Sequence, residues 1–190
     1  MSYAQDRLIH DADSHLMELD GCLDPYFDKA HLKAFHDLPY LHKKDGDFRW
    51  SAKARAQQAD ESFRAGGDAN ILLRKNYEAM GSFLSADRPR ALDLLGFSSQ
   101  LMFNTFHNRR LHDWEHTGDL DLAYGVARAH NRGMVEFCSV DARLLPTCYV
   151  PLADFDRAAA MAAESIAMGA AALLVASGCP AGHSPSHRSL

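Results

Sequence analysis

Asp11, Asp13, His15 and Glu18 crowd into one short stretch near the start of the chain, directly after the apolar pair Leu8-Ile9. A carboxylate and an imidazole are ordinary ligands for Zn²⁺, Mn²⁺ or Fe²⁺, and a strand fixes their separation without help from a loop. In an extended segment side chains two apart share a face, so Asp11, Asp13 and His15 are expected to line one side. Asp13 and His15 then form a pair able to hold one ion. The competing reading is a strand end whose polar groups are solvated, since an Asp-x-His needs no metal to exist.

Other residues capable of chemistry lie further along. Gln100 to Asn104 reads as a strand whose end delivers Asn104, Thr105 and His107. In a parallel sheet these share a rim with Asp13 and His15, which makes Asn104 and His107 candidate substrate contacts. A solvated loop histidine is the alternative for His107. His112-Asp113-Trp114-Glu115-His116 has the letters of the inverted zinc-protease motif, in which two histidines bind zinc and the glutamate activates water. Arg109 and Arg110 before it and Thr117-Gly118-Asp119 after it favour a polar loop or short exposed turn. His183 and His187 are also four apart, but Pro185 between them argues against a helix presenting both, so they are assigned to a loop at the rim of a substrate site, with His187 as a candidate contact. There is no Gly-x-Ser-x-Gly elbow and no phosphate loop.

Periodicity and punctuation define the elements that must position these residues. Asp119 to Cys138 is the clearest helix, with Ala123, Val126, Ala127, His130, Met134, Phe137 and Cys138 on one stripe. Asp87 and Pro89 open a helix with Ala91, Leu92 and Leu95 that Gly96 stops. Asp154 caps another, with Phe155, Ala158, Ala159, Ala162 and Ile166 facing inward and Gly169 ending it. Residues 69–84 also read as a helix, from Ala69, Leu72, Leu73, Asn76, Tyr77 and Met80. Residues 20–68 are polar and contain no clear strand; they form a helical insertion that serves either as a lid over the site or as a surface for dimerisation. Strands are expected near 8–13, 100–104, 144–151 and 171–176. Buried strands separated by helices argue for a parallel α/β sheet of right-handed crossovers, open or closed into a barrel.

Composition excludes several function classes. With 190 residues, 47% hydrophobic and 24% charged, the chain has material for one core and one domain. A net charge of -5 with interspersed signs leaves no footprint for nucleic acid. No window approaches the ~18–20 apolar residues of a membrane span and no signal sequence is evident, so no membrane partner is expected and a cytoplasmic enzyme fits. Cys22, Cys138, Cys148 and Cys179 are scattered and read as reduced thiols.

Asp11-Ala12-Asp13-Ser14-His15-Leu16-Met17-Glu18 resembles the first-strand signature of the amidohydrolase-2 family, the metal-dependent TIM-barrel group that includes the aminocarboxymuconate-semialdehyde and resorcylate decarboxylases. Arg90 to Phe97 with Gln100 to Phe103, then Ala127 to Asn131, then Leu145-Pro146 to Pro151-Leu152, resemble family segments in the family's order. The resemblance implies the N-terminal half of a (β/α)8 TIM barrel, one partial domain over residues 1–190 with a mostly helical insertion over 20–90 and β/α units over 91–190. It implies Asp13 and His15 as ligands of a divalent metal, Zn²⁺ or Mn²⁺, with Glu18 and Asp11 orienting the ligands or lining the rim. The family often has another histidine where this chain has Asp13. Members hydrolyse or decarboxylate small cyclic or unsaturated carboxylates, so a small-molecule substrate is expected. The family's remaining ligand histidine and late catalytic aspartate come from strands beyond these four. A full barrel needs eight units and about 250 residues. A four-strand half exposes two sheet edges, so pairing with a second half, as in a homo-oligomer, is expected. The alternative is a truncated, non-catalytic half-barrel or assembly partner.

Overall fold

The computed structural model describes residues 3–5, 7–37, 50–180 and 183. Strands β1 (His10–His15), β2 (Ser99–Phe103), β3 (Leu144–Tyr149) and β4 (Ala172–Leu174) are parallel and lie in the order β1-β2-β3-β4. The helices are α1 (Lys29–His36), α2 (Ser51–Ala59), α3 (Glu61–Ala65), α4 (Arg88–Leu95), α5 (His107–Glu115), α6 (Leu120–Cys138) and α7 (Phe155–Met168). Sequential strands joined by helices give the curved half of a β/α barrel, with β1 and β4 at its edges.

One face of the sheet carries the core. Met102 and Leu144 pack there with Leu16, Leu92, Met134 and Cys138, while Tyr149 and Val150 pack with Leu111, Val126, Ala158 and Met161. On the other face Leu101, Phe103 and Leu145 are only half-buried and Leu173 is exposed. Strand residues this apolar are in contact with water because four strands do not close the barrel whose interior they would fill.

Helix α6 buries the stripe expected from its spacing, Phe137 excepted, which is half-buried. Asp119 accepts from Leu122 N at its start. On α7 the buried positions are Ala158, Met161 and Ser165, whereas Ile166 is 61% exposed and Ala159 is exposed, a correction to the expected stripe. The inward face is turned by one residue because Asn131 of α6 donates to Ser165 Oγ at 3.0 Å, fixing the helix rotation through a polar contact that hydropathy does not register.

Residues 69–84 do not form a helix. Only single turns occur, at Asp68–Asn70 and Asn76–Glu78. Asn76 takes a left-handed φ of 53° and the Asn70 carboxamide donates to Gly66 O, so side-chain and turn bonds replace the helical ladder. Leu72 and Leu73 are left exposed. In the insertion, α1 is fastened to α6, with Arg132 bonded to Tyr26 O and Asp28 and the His31 ring seated against Gly125. The insertion's described part lies on the helix layer and leaves Asp13 open to solvent.

A buried cation joins α4 to the first two strands. Arg88, 7% exposed, donates from Nε to Gln100 Oε1 at 3.0 Å, from Nη2 to Ser14 Oγ at 2.6 Å and from Nη1 to Gly81 O at 3.3 Å. Gln100 in turn donates to Asp11 Oδ2 at 3.2 Å. Gly81 makes the turn that admits this arrangement: its φ is +71° and a Cβ there would lie 2.7 Å from Arg88 Cα. Burial pulls the Arg88 guanidinium below its ordinary pKa, yet arginine stays charged. Replacing Arg88 with methionine keeps the volume and strands the acceptors, so the variant is expected to lose about 2–4 kcal/mol of unfolding free energy in a urea titration. A loss within experimental error would show that this network is incidental to the sheet.

Candidate metal-binding site

Asp13 and His15 meet at the C-terminal end of β1. His15 Nε2 lies 3.2 Å from Asp13 Oδ1, and His15 Nδ1 lies 2.8 Å from the main-chain oxygen of Asn104. A carbonyl oxygen only accepts, so Nδ1 carries the proton and the Nε2 lone pair of a neutral ring points at the carboxylate. Two acceptors at this distance are held together by positive charge, either a proton on Nε2 or a cation shared between them. An imidazole whose far nitrogen is anchored to a main-chain carbonyl is the usual arrangement of a metal-ligating histidine. The donor chemistry therefore fits a divalent ion. The side chains are 41% and 88% exposed, with the Phe103 ring beside the imidazole. Among the described residues no third histidine, cysteine or carboxylate completes a cluster.

Asp11 does not share this face. The β1–β2 register pairs Asp11 with Gln100 and Ser14 with Met102, with a shift between them. Three residues on β1 thus span two on β2, a bulge that cancels strict alternation. Asp11 and Ser14 both turn to the helix side, where Asp11 meets Gln100, and His15 faces the open side with its register partner Phe103. Asp11 still reaches the pair through the main chain, as Asp13 N donates to Asp11 Oδ1 at 3.1 Å.

Glu18 is not at the rim. It is 3% exposed, and its carboxylate accepts the main-chain N–H groups of Thr105, Phe106 and His107 at 3.0–3.2 Å. These are the loop after β2 and the first residue of α5. Glu18 thereby holds the segment that presents the Asn104 carbonyl to His15. His107, expected at the rim or in solvent, is buried at 2% exposure with Nδ1 3.6 Å from Glu18 Oε1. Asn104 is completely buried, and its carboxamide has no hydrogen-bond partner among the described residues. His187 lies outside the described residues. His183 stacks on Phe155, with ring centres 4.4 Å apart.

His112 to Glu115 form the end of α5, with His116 as its C-cap, where a polar loop or short exposed turn was expected. Glu115 faces inward at 1% exposure, accepting from Tyr149 Oη at 2.9 Å and Leu152 N at 2.8 Å. Tyr149 and Trp114 in the core supply the apolar side that the flanking arginines and glycine concealed. With both carboxylate oxygens engaged there, Glu115 cannot activate a water between the two imidazoles. Inverted zinc-protease chemistry is therefore incompatible with this helix.

Comparison with protein-family models and with curated protein sequences finds no match. Among solved structures, the chain superposes on an amidohydrolase from Mycobacterium avium subsp. paratuberculosis K-10 with a TM-score of 0.55 and 19% identity. The fold is half of a (β/α)8 barrel. The match covers 90% of this chain and 50% of that one, so this chain spans about half the length of that protein. At this identity the likeness concerns backbone architecture. Coverage of half of that chain agrees with a four-stranded half-barrel.

His130 is the residue that sequence reasoning undervalued, having read it as one member of the α6 stripe. It is 3% exposed, its ring centre lies 6.3 Å from that of His107, and it makes no hydrogen bond to any described residue. Burial pushes its pKa down to about 3, with His107 adding to the effect. An imidazole on an otherwise apolar stripe was the available signal.

Proposed function

We propose that this chain is part of a metal-dependent hydrolase or non-oxidative carboxy-lyase of the amidohydrolase type, acting on a small cyclic or unsaturated carboxylate. The observation that carries the reading is the Asp13–His15 pair at the C-terminal end of the first strand of a half-barrel, where β/α barrels place their chemistry. Asp13 and His15 would hold one Zn²⁺ or Mn²⁺ ion. When bound, such an ion polarises a substrate oxygen or lowers the pKa of a water. Asn104 fixes the His15 ring through its carbonyl, so the imidazole needs no reorganisation to offer Nε2. Glu18 acts one step behind, by clamping the loop that carries Asn104. The remaining ligands and the proton-transferring acid or base would come from strands other than these four.

Elemental analysis of the purified protein tests this reading. About one ion per chain, lost in the Asp13→Ala/His15→Ala double variant, is the expected result. A folded protein without bound metal, both as isolated and after incubation with Zn²⁺ or Mn²⁺, would overturn it in favour of a non-catalytic half-barrel.

A further inference from the structure

On the helix side of β1, opposite the face that carries His15, lies a cavity of about 380 Å³. That size is in the range of small-ligand sites. Its walls come from the chain after β1, from the loop before α4 and from α6, and are mostly apolar: Leu16, Met17, Phe83, Met134 and Phe137. Polar side chains converge at one place, where Glu18, His107 and His130 meet.

His130 distinguishes this cavity from a packing defect. Its ring is almost wholly buried, lines the space and lacks a hydrogen bond to any described residue. Its nitrogens are not among the buried polar atoms left without a partner, so they open onto the cavity, where a bound group can reach them. A neutral imidazole offers one N–H and one lone pair, the complement of a hydroxyl group. The adjacent Glu18 carboxylate opposes an anion, and its oxygens are already taken by three main-chain N–H groups. At the rim, exposed Arg55 and Glu136 offset each other's charge. Thioether and aromatic walls suit a planar ring.

We infer that this cavity binds an uncharged, hydroxylated aromatic molecule, a phenol, with its hydroxyl on the His130 ring and its ring between Met17, Met134 and Phe137. The inference stands apart from the metal reading, because it uses the opposite face of the sheet.

The test is an NMR titration of protein carrying ¹³C-methyl methionine, with 1-naphthol as the probe and 1-naphthoate as its charged counterpart. Saturable shifts of the Met17 and Met134 methyls by 1-naphthol are expected, with Met161, in the other core, unchanged. The naphthoate is expected to bind at least tenfold more weakly. His130→Phe should weaken 1-naphthol about fivefold to tenfold, and His130→Gln, which keeps a donor and an acceptor, should restore most of that loss. If His130→Phe does not fold, the contrast between the two probes on the wild-type protein decides. Absence of saturable shifts at Met17 and Met134, equal affinity for the two probes, or shifts spread equally to Met161 would each overturn the inference.

Discussion

Replacing Glu18 with alanine is expected to lower the unfolding free energy by about 3–5 kcal/mol, among the largest effects of any single substitution in this chain. The carboxylate is 3% exposed and accepts three consecutive main-chain N–H groups, from Thr105, Phe106 and His107. These donors include the start of α5, where the helix dipole also favours negative charge. Alanine leaves them unsatisfied, the His107 N–H buried and the other two partly so, at about 1–3 kcal/mol each before relaxation and water entry. Glutamine keeps one acceptor oxygen but turns an NH₂ toward the same donors, so it should cost about half as much. Chemical denaturation of the two variants beside Asp13→Ala measures this directly. Asp13 is 88% exposed, and its loss should stay within about 0.5 kcal/mol. Because Glu18 holds the segment that fixes His15, metal affinity in Glu18→Gln should also fall, by about 10- to 100-fold. A Glu18→Ala protein as stable as the parent would show that water replaces the carboxylate and that the clamp is dispensable.

The second large effect is on the dependence of stability on pH. His130 is buried and neutral, with its pKa pushed down from 6.5 to about 3 by desolvation first and by His107 second. Between those values the unfolded chain binds a proton that the native state refuses. Stability from this residue is therefore complete above pH 6.5 and is lost as the pH falls toward 3, at up to about 1.4 kcal/mol per pH unit. Urea unfolding at steps through that interval should show the slope in the parent protein. It should be shallower by about that amount in His130→Phe, which removes the titrating group and keeps an aromatic ring. Parallel slopes in the two proteins would mean that the native state accepts the proton on His130, and that the site is wetter than its burial implies. Retention of the slope in His130→Phe with loss in a His107 variant would move the effect to the neighbouring ring.

Much of the backbone was legible in the residues. Helix α6, the cap at Asp154, the glycine stops at Gly96 and Gly169, and the alternation of strands with helices follow from local periodicity and from side chains that satisfy nearby main-chain groups, although β1 is the polar segment His10–His15 and not the expected 8–13. Such signals are readable because their cause lies within a few residues. Residues 69–84 broke the pattern, since their apolar spacing found no surface to pack on and side-chain bonds from Asn70 took over.

The site was only partly legible. Asp13 beside His15 follows from two-residue spacing, and neighbours in sequence remain neighbours in any fold. Asp11 and Glu18 stand in the same short stretch yet serve the helix side of the sheet, because a bulge shifts the register and the chain then turns inward. Glu115 likewise carries a motif's letters, but Tyr149 and Leu152, more than thirty residues away, decide where it points. Residue types and local spacing determined the elements and which groups are capable of chemistry. Tertiary structure decided which face each group occupies and whether it meets water, because burial and long-range hydrogen bonds depend on partners distant in the chain.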